Sequence, residues 1–306
     1  MKVIIVGLGI QGQKRKLFAG DDVSAIVDPV NPSADYKNVR DVPLDIFDAA
    51  LLCIPDDPKL EIIRYLVSRG KHVLVEKPLL AENSSDLVDL LELVRLHGVC
   101  CYTAYNHRYE PHFVRMRNLL ASGTLGRIYT LRMFYGNGTA RLVRESEWRD
   151  TGAGVLPDLG SHLLDSLSFW FPQRKDSFEL ICANRFENRA YDHVIFGTHC
   201  DISIQLEVTL LSWRNHFYCD VVGENGSAHI ESLCKWGPSK FTVRERQLPS
   251  GRPSEEVVTL VKADPTWRDE YLAFKEMCAN GTPTNLENDI WINDSLKEVG
   301  SQLLNQ

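Results

Sequence analysis

The sequence lacks the features of several protein classes. No apolar run approaches the length of a membrane span, which argues against helical membrane segments. The net charge is -7 and the longest basic cluster is Lys14 to Lys16, so no nucleic-acid or anionic-membrane surface is predicted. The eight cysteines form no CxxC pair and no metal-ligand spacing with histidine, so we predict reduced core thiols and no metal site. The first residues run directly into a strand pattern without a signal peptide, and we therefore expect a cytoplasmic protein.

The first third of the chain alternates short apolar runs with amphipathic segments. The runs are KVIIVG, VSAIVD, AALLCIP, HVLVEKP and VCCYTAY. Strands that are apolar throughout indicate a parallel sheet with both faces covered. One intervening segment predicts a helix that starts at Lys59 and stops at Gly70. The sequence therefore predicts an α/β fold that begins with a doubly wound domain over residues 1–106.

Beyond about residue 125 the pattern changes to strict alternation. In DISIQLEVTL the apolar residues fall on one side, and Ser203, Gln205, Glu207 and Thr209 fall on the other. Residues 107–306 are therefore predicted to form an α+β domain with an open, largely antiparallel sheet. Its polar face is either solvated or the place where subunits of a homo-oligomer meet. Helical segments near 265–279 and 289–304 close the chain, and they could pack back on the first domain.

A glycine-rich turn follows the first strand pattern. Gly7, Gly9 and Gly12 form GxGxxG before a helix, and Asp28 ends the second strand. This arrangement is the dinucleotide-binding fingerprint of a Rossmann domain, in which the acid binds the adenosine ribose. It favours NAD, although the basic residues 14–16 leave NADP open unless they form a solvated helix face. The predicted cofactor-binding residues lie at or just after the ends of the first three strand patterns. They are Gly7, Gly9, Ile10, Gln11, Gly12, Asp28, Ile54 and Pro55.

Two other short stretches carry charges beside apolar patterns. In VLVEKPL the strand pattern breaks into Glu76, Lys77 and Pro78, which alone would predict a solvated turn. In LPDLGSHLLD, Pro157 suits the first helical position, and a helix places Asp158, His162 and Asp165 on one face. That face is either solvated or part of a site.

The assembled motifs resemble the glucose-fructose oxidoreductase, inositol dehydrogenase and MocA family of oxidoreductases. GLGIQG, LLCIPDD, GKHVLVEKPL, YNHRYEPHF, GAGVLPDLGSHLLD and VVGENGSAHIE follow the family order over nearly the whole chain. The resemblance implies that Lys77 lines the active site beside the nicotinamide and that Asp158 and His162 meet it across the domain junction. It also implies a substrate or nicotinamide contact for Asn106, which otherwise suits a structural turn. The helix after Gly12 and the segment between Asp28 and Asp48, on the adenine side of the site, look short for the family.

Hydride transfer at a carbinol carbon requires a proton carrier. Histidine has an ordinary pKa near 6.5 and lysine one near 10.4, so we predict that His162 carries the proton. Lys77 would then polarise the reacting oxygen, and Glu76 would bind the nicotinamide ribose. Arg141, Arg144 and Arg149 either meet an anionic substrate, with Arg144 the candidate, or form a loop neutralised by the interleaved acids Glu145, Glu147 and Asp150.

These predictions combine into one function with two alternatives. The main interpretation is an NAD(P)-dependent oxidoreductase acting on a secondary alcohol or ketone of a sugar, cyclitol or nucleotide-sugar. A reductase of a C=C or C=N bond on the same fold is an alternative within the enzymes. A regulatory protein that binds the dinucleotide without chemistry is the alternative from another class.

Overall fold

The computed structural model of the chain describes residues 1–146, 149–281 and 284–303. They form two compact units: the first comprises Met1–Asn106 and Thr266–Asn293, and the second comprises His107–Pro265 and the chain from Asp294 onward. The elements in chain order are β1 (Val3–Val6), α1 (Ile10–Ala19), β2 (Val23–Val27), β3 (Ala49–Leu52), α2 (Lys59–Val67), β4 (His72–Glu76), α3 (Ser84–His97), β5 (Cys101–Ala104), α4 (Pro111–Ala121), β6 (Ile128–Gly136), α5 (Ala140–Arg144), α6 (Ser161–Trp170), β7 (Glu179–Asn184), β8 (His193–His199), β9 (Ser203–Thr209), β10 (His216–Gly223), β11 (Gly226–Glu231), β12 (Ser239–Glu245), β13 (Glu255–Leu260), α7 (Thr266–Asn280) and α8 (Leu286–Leu303).

The first unit is built on a parallel sheet with the strand order β2-β1-β3-β4-β5. Alternate residues of each strand pack on opposite sides. Ile4 and Val6 join the core under α2 and α3, whereas Val3 and Ile5 join the core formed with α1 and α7. The predicted two-sided burial explains why these strands are apolar throughout. The order reverses between β1 and β3, which places a crevice at the carboxyl ends of those strands.

The second unit is built on an eight-stranded sheet with the order β13-β12-β11-β10-β6-β9-β8-β7. Its described strand pairs are antiparallel except for β6 with β9. On β9, Ile204, Leu206 and Val208 are buried, and Ser203 and Gln205 lie half-exposed on the other face. The predicted fold class is therefore confirmed in both halves.

Some local predictions need correction. The second helix ends at Val67 rather than at Gly70, because the chain first makes a turn in which Gly70 adopts a φ of +70°. Thr209, predicted on the wet side of its strand, is buried, and its hydroxyl donates to the carbonyl of Asp192. The cysteines are free, but Cys200 is exposed and therefore is not a core thiol. In the described ranges, none of the helices combines the length and apolar character that crossing a bilayer requires.

Candidate active site

The glycine turn between β1 and α1 leaves room for a ligand only at its centre. A Cβ on Gly7 would lie 2.4 Å from the carbonyl oxygen of Cys53, and a Cβ on Gly12 would lie 1.9 Å from that of Gly7. These two glycines therefore let the turn, the helix and the end of β3 pack closely. A Cβ on Gly9 would meet no atom within 4 Å, so the chain is open where the fingerprint places the pyrophosphate.

The start of α1 is suited to an anion. Gly9 occupies the N-cap position, where no side chain satisfies the free N–H groups, and no acidic residue lies in the first turn. Free amides and the helix dipole together favour negative charge at this end. Ile10 is 79% exposed and Gln11 is also exposed, so both predicted contacts begin the helix at an open surface. The residues present therefore fit a dinucleotide.

Asp28 is fixed at the end of β2 by three backbone N–H groups. Its Oδ1 accepts from Asn31 at 2.7 Å and from Val30 at 2.9 Å, and its Oδ2 accepts from Leu8 at 2.8 Å. Hydrogen bonds from Asn31 and Leu8, more than any charge, lower the pKa of Asp28. The carboxylate is thus ionised and joined to the glycine turn through Leu8.

The basic residues 14–16 suggested a solvated helix face, but Arg15 is buried. It is 1% exposed, and its guanidinium stacks over Trp267 at 4.3 Å from the ring centroid. Its Nε donates to Glu76 Oε1 at 2.6 Å, and its Nη1 lies 2.8 Å from Glu270 Oε2. Burial alone would lower the pKa of Arg15, but the carboxylates of Glu270 and Glu76 raise it above its ordinary value. One oxygen of Glu76 is therefore already bound, and its predicted contact with the nicotinamide ribose stays a prediction.

The turn after β4 is anchored by a second buried cation. Lys59, at the start of α2, is buried and donates to Asp56 Oδ1 at 2.6 Å and to the carbonyl oxygen of Pro78 at 3.0 Å. It thereby joins the turn after β3, which contains Ile54 and Pro55, to the turn that contains Lys77. The Lys77–Pro78 peptide bond is cis. Because β4 ends at Glu76, Lys77 lies at the same carboxyl edge of the sheet as Gly9 and Asp28.

Asn106 ends the first stretch of the first unit. Its side chain is buried, and its Nδ2 donates to the hydroxyl of Thr266 at 2.7 Å, at the start of α7. The amide therefore joins the end of the sheet to a helix that returns from much later in the sequence. Its predicted contact with substrate or nicotinamide stays a prediction.

In the second unit, Asp158 and His162 lie on consecutive helical turns of different width. Residues Leu156–Gly160 form a π-helical turn, with Pro157 in its first positions as predicted, and α6 continues from Ser161. Wide turns of this kind are frequent at functional sites. Asp158 is half-buried, with Oδ2 3.5 Å from Arg149 Nη2, and His162 is buried.

The ring of His162 lies within an aromatic cluster. It stacks on His107 with centroids 4.1 Å apart and planes 21° apart, and it meets Tyr135 edge-on at 5.7 Å. Tyr135 in turn contacts Trp236 at 5.7 Å. Burial, and then the nearby carboxylate of Asp158, raise the pKa of Tyr135, so its hydroxyl stays protonated. The cluster offers aromatic faces together with two imidazoles.

Asp165 does not share a solvated face with these residues. It is buried, and its carboxylate accepts from Arg108 Nε at 2.9 and 3.0 Å and from Nη2 at 2.5 Å. Burial raises the pKa of Asp165, and the Arg108 guanidinium opposes that shift. This ion pair joins α6 to the turn after Asn106.

Part of the arginine-rich stretch is helical, and two of its described arginines contact residues outside the stretch. Arg141 and Arg144 lie on α5, and Arg144 Nε donates to the carbonyl oxygen of Glu187. Arg149 approaches Asp158, while the buried Asp150 accepts from the backbone of Ala190. Glu147 lies outside the described residues. Arg144 as a substrate contact stays a prediction.

Sequence reasoning missed four residues that contact the neighbourhood of the candidate site residues within each unit: Arg15 and Lys59 in the first, and His107 and Lys235 in the second. All four are charged or titratable residues in segments that look polar. Only one local signal existed: His107 lies between Asn106 and Arg108 at the end of an apolar strand. No group of three or more side chains suited to a metal ion occurs within residues 1–146, 149–281 and 284–303.

Two sequence models of one family match most of the chain. Residues 1–105 match the model described as "Oxidoreductase family, NAD-binding Rossmann fold", and residues 113–229 match "GFO/IDH/MocA C-terminal domain". The chain belongs to the Gfo/Idh/MocA oxidoreductase family. The predicted family and its NAD-binding domain are confirmed.

Curated proteins match this chain over part of their length. Trans-1,2-dihydrobenzene-1,2-diol dehydrogenase of Bos taurus is 29% identical over 188 residues, which are 58% of this chain and 52% of that protein. Rhizopine catabolism protein MocA of Rhizobium meliloti is 23% identical over 192 residues, 58% of this chain and 59% of that protein. The chain spans little more than half the length of these relatives.

Solved structures of the Gfo/Idh/MocA fold match over nearly the whole chain. Levoglucosan dehydrogenase in complex with NADH and levoglucosan has a TM-score of 0.83 and 16% identity, covering 100% of this chain and 97% of that one. An inositol dehydrogenase homologue from Azotobacter vinelandii, complexed with NADH and myo-inositol, has a TM-score of 0.81 and 16% identity, covering 100% and 96%. At these identities the likeness concerns the fold.

Proposed function

We propose that the chain transfers a hydride between NAD and the carbon of a secondary hydroxyl in a sugar, cyclitol or vicinal diol. The observation that carries the proposal is the carboxyl edge of the first sheet. Gly9 is open above a helix N-terminus, Asp28 is ionised, and Lys77 follows a strand of the same sheet. Such an edge suits a dinucleotide, and this supports a role for the Lys77 ammonium group beside it.

Each residue has a proposed chemical role. When bound, the nicotinamide supplies the carbon that accepts or returns the hydride. His162 holds the proton that leaves the hydroxyl, Lys77 donates a hydrogen bond to the same oxygen, and Asp158 favours the charged form of the imidazole. The proposal requires Lys77 and His162 to act on one substrate.

The surroundings of His162 favour an uncharged polyol. Tyr135 and Trp236 offer aromatic faces, which suit the apolar face of a sugar or diol ring. Arg144 donates to the Glu187 carbonyl, and Arg149 faces the carboxylate of Asp158, so neither supports an anionic group on the substrate. The diol, levoglucosan and inositol named for the similar proteins belong to this class.

Calorimetric titration with NADH and NADPH should give binding of NADH, since Asp28 repels a 2'-phosphate. A turnover panel of cyclitols, free sugars, nucleotide-sugars and diols should then find a substrate. On that substrate, His162→Asn and Lys77→Met should lower kcat by about 10² to 10⁴-fold. Lys16→Met, on the exposed side of α1, is the matched control and should keep wild-type turnover. Wild-type kcat in both site variants would refute the assigned roles.

We also propose a homo-oligomer in the cytoplasm. The outer face of the second sheet carries half-exposed Phe134 and Tyr218, stacked 5.2 Å apart with parallel rings, beside the charged Arg132 and Asp220. A mixed face of this kind suits a second copy of the chain. Light scattering should give a mass above 34.7 kDa that Phe134→Glu reduces. A wild-type monomer would refute this part. The cytoplasmic location is supported by the cysteine pattern alone.

A further inference from the structure

Two stacked imidazoles in the second unit raise the question of which one carries a proton. His107 and His162 are 2% and 6% exposed, with ring centroids 4.1 Å apart. Two buried imidazolium rings at this separation would repel each other strongly, so the pair can hold one proton but not two. The sequence gives both rings the same ordinary chemistry, and their neighbours must distinguish them.

Lys235 makes that distinction. Its Nζ lies 3.2 Å from Nε2 of His107. An ammonium group has hydrogens and no lone pair, so it can only donate, and Nε2 must accept. With Lys235 in its ordinary ammonium form, this contact requires a neutral His107 that carries its hydrogen on Nδ1. Phe113 and Tyr135 also pack on the His107 ring, at 5.7 and 5.4 Å, and hold its plane.

We propose that His107, kept neutral by Lys235, is a positioning residue for His162: it fixes the plane of the His162 ring and leaves that ring to carry the proton. This inference rests on the proposed function, because it assigns to His162 the proton exchanged with the hydroxyl. It concerns residues of one unit only. His107 lies in the YNHRYEPHF motif, from which only Asn106 was predicted as a site residue, and Lys235 lies outside the quoted motifs.

The other charged groups around the pair agree with this assignment. Asp158 lies on the turn before His162, and its negative charge favours a proton on that ring. Glu110 accepts from the backbone of Cys234, next to Lys235, and burial raises the pKa of Glu110. Arg108 is neutralised by Asp165. Tyr135 of β6 packs on both rings, and its hydroxyl stays protonated and adds no charge beside the pair.

The test begins with ¹⁵N-histidine NMR of the cofactor-free protein, which needs no turnover. His107→Phe and His162→Asn assign the two rings. We expect His107 Nε2 to remain unprotonated while His162 titrates. In Lys235→Met, His107 should begin to share the proton, and Lys235→Arg should restore the wild-type pattern. Lys240→Met, which removes an equal charge paired with Glu231, is the control and should change neither ring.

The kinetic arm follows the acid limb of the kcat/KM profile in the direction of alcohol oxidation. Lys235→Met should move this limb to higher pH by on the order of one unit, because a positive charge that disfavours protonation of the pair is lost. In the His107→Phe background the same substitution should move the limb much less, since Lys235 would act through His107.

Four results would overturn the inference. The first is a hydrogen on His107 Nε2 in the wild type, the second is a limb that moves no further in Lys235→Met than in Lys240→Met, and the third is an equal shift in both His107 backgrounds. The fourth is a loss of turnover at every pH without any shift of the limb, which would show a merely structural role. If no polyol turns over, the proposed function fails, and the NMR titration still decides the protonation of the two rings.

Discussion

Removing the guanidinium of Arg15 should destabilise the first unit more than any exposed ion pair could. Arg15 is 1% exposed and Glu270 is 0% exposed, while the Glu76 side chain is 13% exposed. Arg15→Met keeps the length of the side chain but removes the guanidinium that lies against the buried Glu270 carboxylate. Breaking one partner of a buried ion pair costs about 3–5 kcal/mol, because the remaining charge has lost both water and its partner.

The assay is urea unfolding at neutral pH, with a thermal scan beside it. A loss of this size should lower the thermal midpoint by roughly 10 °C. Arg40→Met is the matched control, because it removes an arginine whose partner is Glu61 and whose side chains are 49% and 75% exposed. An exposed pair contributes about 0–1 kcal/mol. A cost for Arg15→Met no larger than that of Arg40→Met would refute the reasoning.

A second variant separates lost charge from lost packing. In Arg15→Met combined with Glu270→Leu, the buried carboxylate is replaced by an apolar side chain, and most of the stability should return. Acidification should also reduce the deficit of the single variant, since a buried carboxyl that has lost its cation can be neutralised by a proton. If the double variant is as unstable as the single one, packing around the guanidinium explains the cost.

Three further predictions concern the carboxyl edge of the first sheet. Gly12→Ala should destabilise the unit by about 1–3 kcal/mol in urea unfolding, because its Cβ would overlap the Gly7 carbonyl. Gly9→Ala should fold normally and, in calorimetry, bind NADH about tenfold or more weakly. Equal stability of the two variants would contradict the geometry. Lys59→Met should cost about 1–3 kcal/mol in urea unfolding, because the Pro78 carbonyl loses its donor. Asp28 has a lowered pKa in the folded state, so the stability it contributes is present above about pH 3.9 and is lost as the pH falls through the folded-state pKa. Asp28→Asn should lack this contribution when the free energy of unfolding is measured against pH in acid. An unchanged dependence of that free energy on pH would contradict the prediction.

The parallel sheet could be predicted because its strands carry their own signal. Runs such as Val3–Val6 and Ala49–Leu52 are apolar at every position, and only burial on both faces explains that pattern. What covers each face could not be predicted in the same way. The face that includes Ile5 is covered partly by Tyr271 and Phe274 of α7. An amphipathic helix shows that it packs on something, but its sequence does not name the distant surface.

Parts of the candidate site could be predicted where the conformation or packing of the backbone requires a particular residue type. Gly7 and Gly12 are required by close packing, and Pro157 by the start of a helix. The burial of Arg15 was not predictable, because its partner Glu76 is 61 positions away. The π-helical turn also escaped prediction: it spans Leu156–Gly160 and includes Asp158, so a spacing of four residues from Asp158 to His162 no longer fixes one regular face.

Ion pairs in which at least one side chain is buried recur beside the motifs, which raises the question of what they contribute. Glu76 precedes Lys77 and is held by Arg15; Asp56 follows the Ile54–Pro55 turn and is held by Lys59. On α6, Asp165 is held by Arg108 one turn after His162. An apolar replacement of similar volume would often be as stable as such a pair or more so, so stability alone does not account for them. Each pair instead fixes the backbone next to one proposed site residue, which is what a reaction with narrow geometric tolerance requires.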